Sequence, residues 1–150
     1  MFHRLIEAQA RRTFDLVNAH DYDQILATAM PDIRHNFSGQ HALGGERNDA
    51  AHMRLWFERL QRLVPNLTLT VTDVWVIGGL RSAVVFVAWT ATATLLDGEP
   101  YANHGVHIVH LRRRKIVSID VNEDSQAVVG ALQRQARSGL TEALAPPIVS

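Results

Sequence analysis

The order of apolar and polar residues divides the chain into a helical part and a strand-rich part. Apolar residues recur every three or four positions from Phe2 to His20 and from Ala50 to Leu63, which is the spacing of amphipathic helices. Pro31 ends a shorter helical pattern, and Asp124 is placed to cap the last one. We therefore predict helices over residues 2–20, 22–29, 50–63 and 125–137.

Elsewhere apolar and polar residues alternate with the two-residue period of strands. Gly78-Gly79, Asp97-Gly98 and the basic run Arg112–Lys115 are turn signals between the later strands. The predicted strands cover residues 32–38, 67–77, 82–96, 106–111 and 116–121. Strands joined by short turns pair antiparallel, so we predict an α+β fold. In it, a curved antiparallel sheet wraps around three to four helices and leaves a cone-shaped internal pocket.

The length and composition of the chain limit its domain number, its covalent cross-links and its partners. A chain of 150 residues suits one domain, which we place at residues 1–137, followed by a C-terminal arm or disordered tail at residues 138–150. The absence of cysteine excludes disulfides and thiolate metal sites and fits a cytoplasmic location. Zero formal net charge and the lack of a long apolar run argue against nucleic acid and membrane partners.

Seven short motifs between residues 5 and 130 keep a fixed order along the chain. They are Val17-Asn18-Ala19-His20-Asp21, Met30-Pro31-Asp32-Ile33, Gly44-Gly45, Leu63-Val64-Pro65-Asn66-Leu67, Val71-Thr72-Asp73-Val74, Lys115-Ile116-Val117 and Asp124. In this order they resemble the nuclear transport factor 2-like superfamily, and within it the SnoaL-like polyketide cyclases. The superfamily includes cyclases, isomerases, epoxide hydrolases and non-catalytic binding modules, so the resemblance implies the fold and leaves the chemistry open.

The best-known catalytic residues of that superfamily do not transfer to this chain. Ketosteroid isomerases carry a Tyr where this chain has Thr13 and a catalytic Asp where it has Phe37; limonene-epoxide-hydrolase-like members carry an Asp near Val121. For SnoaL-like cyclases the resemblance implies an acidic residue on the last strands, and Asp120 is the nearest candidate. Relatives usually have Gly at the position of Arg114, so we expect a positive φ there.

Two histidines and one aspartate are the candidates for acid–base chemistry. His35 shares a strand face with Ile33 and Phe37, so its imidazole should point into the core or the cavity. There it is either a general base, assisted by His107 or Asp120, or a hydrogen-bonded structural group. Asp120 alternates with the apolar residues of its strand, which favours a solvated or interfacial carboxylate over a catalytic one.

Other residues are expected around the cavity. Trp56 and Trp89 can wall it or simply pack in the core, and Thr13, Phe37 and Asn103 complete the predicted ligand pocket.

Three histidines invite a metal-site interpretation that their spacing opposes. His104, His107 and His110 are three residues apart, so neighbours in this series face opposite sides of a strand. We therefore predict no metal and no cofactor.

The sequence leaves the function, and the question of whether the protein is an enzyme, open between two hypotheses. The first is a pocket for a hydrophobic or polyketide-like small molecule, with acid/base cyclisation or isomerisation of that ligand. The alternative is a non-catalytic ligand-binding or dimerisation module of the same fold. We expect a homodimer formed through the sheet face, for which the threonine-rich face of residues 90–94 is available. A third possibility is a regulatory subunit whose tail, residues 138–150, crosses onto a partner.

Overall fold

The computed structural model describes all 150 residues and contains four α-helices, one short 3₁₀ helix and six strands. The helices are α1 (Phe2–Asn18), α2 (Tyr22–Ala27), α3 (Ala50–Leu63) and α4 (Ser125–Arg137), and the 3₁₀ helix is Thr141–Leu144. The strands are β1 (Ala29–Phe37), β2 (Gly45–Arg47), β3 (Thr68–Gly78), β4 (Ala83–Thr94), β5 (Pro100–Arg112) and β6 (Lys115–Glu123). Every predicted helix and strand is present, and β2, inside the glycine-rich segment, was missed.

Aspartates begin three of the helices. The carboxylates of Asp21, Asp49 and Asp124 accept hydrogen bonds from backbone N–H groups in the first turns of α2, α3 and α4. Each bond satisfies a donor that the helix itself leaves unpaired, which is the local reason why these helices start where they do.

The six strands form one curved, unclosed sheet in the order β2-β1-β6-β5-β4-β3. The α+β prediction is confirmed, but the sheet is mixed: β1 and β6 run parallel, while all other neighbours are antiparallel. No short turn joins β1 to β6, so packing rather than local turn chemistry sets their relative direction. The expectation of a wholly antiparallel sheet was wrong for this pair.

The β5–β6 turn is strained as the resemblance implied. Arg114 has φ of 68°, and Arg113 also has a positive φ of 49°. Two consecutive positive φ values are what a two-residue hairpin turn with the right-handed strand twist requires. Gln9 on α1 supports the turn by donating a hydrogen bond of 3.0 Å to the backbone oxygen of Arg114.

Alternation along β4 separates the two faces of the sheet. Val85, Val87, Trp89 and Ala91 are buried against the helices, whereas the residues between them face outwards. The main core therefore lies between the inner sheet face and the helices α1 to α4.

Residues 138–150 lie along the domain. Glu142 bonds to Arg59 at 3.2 Å and to Arg62 at 2.7 Å, and Ser150 makes hydrogen bonds with Glu46 and Asn48 beside the edge strand β2. None of the helices combines the length and apolarity needed to cross a membrane.

Candidate functional site

A cavity of about 100 Å³ lies between the inner face of the sheet and helices α1, α3 and α4. Of its 24 lining residues 19 are hydrophobic, so most of its contacts with any occupant are apolar. The remaining five are Thr13, His35, Asn103, His107 and Glu123.

Seven of the eight predicted site residues line this cavity: Thr13, His35, Phe37, Trp56, Trp89, Asn103 and His107. Asp120 does not. Its neighbours Ile119 and Val121 point into the cavity, so the pleat turns Asp120 to the outer face. There the guanidinium of Arg34 donates to both of its oxygens, at 2.9 and 2.7 Å. The structure does not bring Asp120 together with the histidines, and we remove it from the candidate catalytic residues.

The carboxyl group at the cavity wall belongs to Glu123, which the sequence reasoning missed. Its oxygens accept hydrogen bonds of 2.9 Å from the hydroxyl groups of Ser38 and Ser125. Burial raises the pKa of Glu123 above its ordinary value, and the two serines offset part of that rise. The signal was available, because Glu123 continues the inward-facing series Ile119, Val121.

Asn103 holds its surroundings in place and has no hydrogen-bonding capacity left for a ligand. Its amide donates to Tyr101 Oη at 2.9 Å and to the backbone oxygen of Asp124 at 3.2 Å. Its oxygen accepts from the backbone N–H groups of His104 and Asp124. Tyr101 also lines the cavity, and its hydroxyl group, which accepts from Asn103, keeps its own proton free. Burial raises the pKa of this phenol, which stays neutral.

His35 is 2% exposed and lies edge-on to Trp56, with ring centroids 4.6 Å apart. Its cross-strand neighbour is Arg47, a fully buried guanidinium whose Nε donates to the backbone oxygen of His35 at 3.3 Å. Burial, and then the positive charge of Arg47, hold the pKa of His35 well below its ordinary value. Trp56 is itself fixed by a 2.7 Å hydrogen bond from its indole to the backbone oxygen of Leu43.

His107 faces the same cavity from β5. The indole N–H of Trp89 donates to His107 Nδ1 at 2.7 Å, and the Phe14 ring lies edge-on with centroids 4.9 Å apart. Burial lowers the pKa of His107 to about 3. On its other side, His107 also borders a second cavity of about 50 Å³.

The environments of His35, His107 and Glu123 change the acid–base roles expected from the sequence. Both imidazoles are neutral near pH 7, and their low pKa values make them weak bases, since a general base works best with a pKa near the operating pH. The pKa of Glu123 moves in the opposite direction, towards that range. The directions of these pKa shifts favour Glu123, which lines the cavity, over His35 as the acid–base group.

No cluster of three or more His, Asp or Glu side chains is placed to hold a metal ion. His104 and His110 are exposed, whereas His107 lines the cavity, so these three side chains do not converge.

A family model for the SnoaL-like domain matches residues 10–119. The chain belongs to the SnoaL-like family. The resemblance predicted from the sequence motifs is thereby confirmed. No curated protein matches the sequence.

Solved structures share the fold of this SnoaL-like domain. PrhC from Penicillium brasilianum NBRC 6234 is 15% identical, with a TM-score of 0.79 over 95% of this chain and 94% of that one. A protein from Jannaschia sp. CCS1, described as a SnoaL-like polyketide cyclase, is 19% identical, with a TM-score of 0.70 over 87% and 92%. TerC, crystallised with polyporic acid, is 21% identical, with a TM-score of 0.67 over 85% and 97%. At these identities the likeness establishes the fold.

Proposed function

We propose that this SnoaL-like domain binds a small, largely apolar molecule in its cavity and moves a proton on it, with Glu123 as the acid–base group. The observation that carries the proposal is a cavity wall on which one half-buried carboxyl group, that of Glu123, lies among apolar side chains and two neutral imidazoles. Perturbed titratable groups in an apolar cavity are the usual mark of such a site.

The size of the cavity limits the ligand. About 100 Å³ is of the same order as the roughly 150 Å³ apolar cavity that holds benzene in another protein. The cavity is therefore on the scale of a single ring, and a larger polyketide requires its walls to move. The co-crystallisation of TerC with polyporic acid supports small-molecule binding by this fold.

The chemistry that suits Glu123 is removal of a proton from a carbon next to a carbonyl group. The C–H bond breaks and an O–H bond forms on the carboxylate. The released electron pair becomes a C=C bond, and the carbonyl π pair moves to oxygen, giving an enolate. Return of the proton to another carbon is an isomerisation, and attack of the enolate on a second carbonyl is a cyclisation. The raised pKa makes the carboxylate a stronger base for this step.

Proton exchange tests this proposal without knowledge of the natural substrate. Acetophenone in D₂O should lose its α-protons faster with the protein than in buffer, as followed by NMR. Glu123→Gln should abolish the acceleration, and Asp120→Asn, on the outer face, should retain it. Binding of acetophenone without any acceleration would remove the catalytic part of the proposal.

That outcome would favour the alternative, a non-catalytic binding module. One observation points towards it: both oxygens of Glu123 already accept hydrogen bonds from serines, as a structural carboxylate would. Exchange kinetics separate the two functions, because both predict binding and only the first predicts turnover.

We also infer that the domain forms a homodimer through the outer face of its sheet. Trp75 and Ile77 on β3 are 53% and 61% exposed, and Trp75 lies beside Phe86, which in turn lies beside Ile108. Such a continuous apolar row on the outer face is unusual for a surface that meets only water. The exposed threonines of residues 90–94 extend the same face along β4.

A further inference from the structure

The Trp89–His107 hydrogen bond decides which nitrogen of His107 carries the proton. An indole N–H can only donate, so Nδ1 of His107 must accept with its lone pair. A neutral imidazole has one N–H, which is therefore on Nε2. Trp89 on β4 and His107 on β5 are diagonal neighbours, since Trp89 lies opposite Gly105 and His107 lies opposite Val87.

The Nε2–H group of His107 has no partner inside the protein. Only two side-chain polar atoms, His35 Nδ1 and Arg47 Nη1, are both fully buried and without a hydrogen-bond partner. His107 Nε2 is therefore not sealed inside the protein. Since His107 lines both cavities, its free N–H is accessible from the space they enclose.

The neutral imidazole of His35 also carries its proton on Nε2, for a different reason. Its Nδ1 is sealed without a partner, and the buried guanidinium of Arg47 on the neighbouring strand donates to its backbone oxygen at 3.3 Å. An N–H group sealed at Nδ1 would find no acceptor, which carries a large desolvation cost. The proton is therefore assigned to Nε2, the nitrogen that is not sealed.

The geometry points to His107 and His35 as hydrogen-bond donors to an oxygen atom of the ligand, and hence to a ligand that carries a carbonyl or phenolate oxygen on a small apolar frame. This inference rests on the proposed function, which already supposes a carbonyl group, and adds the two residues that bind its oxygen. It reverses the expectation that His35 accepts a proton.

The positions of His35, His107 and Glu123 relative to strand β6 show how close these three polar groups lie. His107 pairs with Val121 and His35 with Ile119, so the two imidazoles flank β6 from its opposite sides. Glu123 follows Val121 by two residues, which makes it a diagonal neighbour of His107, with a Cα separation of roughly 7–8 Å. The Glu123 carboxyl group therefore lies on the same face of the sheet as the His107 imidazole, one diagonal step away.

The first test is nitrogen NMR of the wild-type protein at pH 7. We expect His107 and His35 to show a protonated Nε2 and an unprotonated Nδ1. In Trp89→Phe the His107 signal should shift towards a mixture of tautomers, because the donor that selects one of them is gone. A protonated Nδ1 on wild-type His107 would overturn the donor assignment without any ligand.

The second test compares acetophenone with α-methylstyrene, which has nearly the same shape and no oxygen acceptor. Dissociation constants follow from tryptophan fluorescence, and the ratio of the two constants measures the contribution of the oxygen. We expect the preference for acetophenone to fall about fivefold to tenfold in His107→Phe, the effect of a net hydrogen bond. His104→Phe, exposed on the outer face, should keep the wild-type ratio.

The outcomes distinguish failure of the donor assignment from failure of the proposed function. If both probes bind and the ratio is the same in the wild type and His107→Phe, the donor assignment is wrong while the ligand cavity remains. If neither probe binds the wild type, the proposed function fails, and the ligand class fails with it. Replacement of His107 leaves the Trp89 indole unpaired, so the wild-type NMR measurement keeps the test independent of the stability of that variant.

Discussion

Gly105 lies directly opposite Trp89 across the β4–β5 pair, and a Cβ atom at Gly105 would lie 2.6 Å from Cζ2 of the indole. The bare backbone of Gly105 is therefore what lets the indole lie against β5. That placement brings the Trp89 N–H to His107, which follows Gly105 by two residues on β5. A small residue in one strand thus controls the proton position on an imidazole in the cavity.

Replacement of Gly105 by alanine should destabilise the protein by about 1–3 kcal/mol, the usual cost of overpacking. The added methyl group would also lie 2.5 Å from the backbone oxygen of Asn122, so the strain is not relieved by moving the indole alone. Urea unfolding measures the difference. The matched control is Gly130→Ala in α4, where nothing lies within 4 Å of a Cβ atom. It should raise stability by about 1 kcal/mol through helix propensity. Equal stability of Gly105→Ala and the wild type would contradict the close approach.

Gln135 should be one of the main anchors of α4 over the cavity. It is 1% exposed; its amide donates to the backbone oxygen of Leu63 at 2.7 Å and its oxygen accepts from the backbone N–H of Leu96 at 2.9 Å. Gln135→Ala leaves two backbone groups unpaired, so we expect a loss of about 2–4 kcal/mol and faster amide hydrogen exchange in α4. Gln133→Ala, exposed on the same helix, should change neither measurement. Slow exchange of α4 in both variants would show that other contacts hold the helix.

Stability should fall as the pH is lowered from about 6.5. An unfolded histidine has a pKa of about 6.5, whereas folded His107 has a pKa of about 3 and His35 is also well below its ordinary value. In this window the unfolded chain binds protons that the folded chain does not, so acid favours unfolding. Each histidine contributes up to about 1.4 kcal/mol per pH unit. The raised pKa of Glu123 acts in the opposite sense, because its protonated form is favoured in the folded state, and it offsets part of the loss at lower pH.

Urea unfolding between pH 7.5 and 5 measures this dependence. His107→Phe should have a shallower slope than the wild type by up to one proton, and His104→Phe controls for the change of residue type at an exposed position. A wild-type stability that does not change over this range would mean that the two imidazoles become protonated in the folded state.

The inferred dimer should depend on the apolar row of the outer face. Trp75→Lys introduces a charge at a half-exposed position, so it should dissociate the dimer at little cost to the monomer fold. Sedimentation velocity at micromolar concentration distinguishes the two states. Leu55→Lys on α3, where the side chain is 48% exposed, is the matched control and should remain dimeric. A monomeric wild-type protein at the same concentration would exclude this interface.

Local patterns in the sequence determined most of the elements. The aspartate caps, the glycine and basic turns and the two periodicities depend on residues that are neighbours along the chain, and each predicted helix and strand is present. Strand alternation also indicated correctly that His35 faces inwards and Asp120 outwards. The same alternation pointed to Glu123, where the nearby helix start obscured it.

Only the tertiary structure decided how the elements pair and what the cavity residues can do. The parallel β1–β6 pair joins segments that are far apart in the sequence, and no turn signal specifies its direction. The Trp89–His107 bond, the sealed Nδ1 of His35 and the raised pKa of Glu123 all arise from groups that meet only after the sheet has curved around its helices. Protonation states depend on burial and on charges nearby in space. The sequence therefore identified the two imidazoles, whereas their protonation states depend on the folded structure.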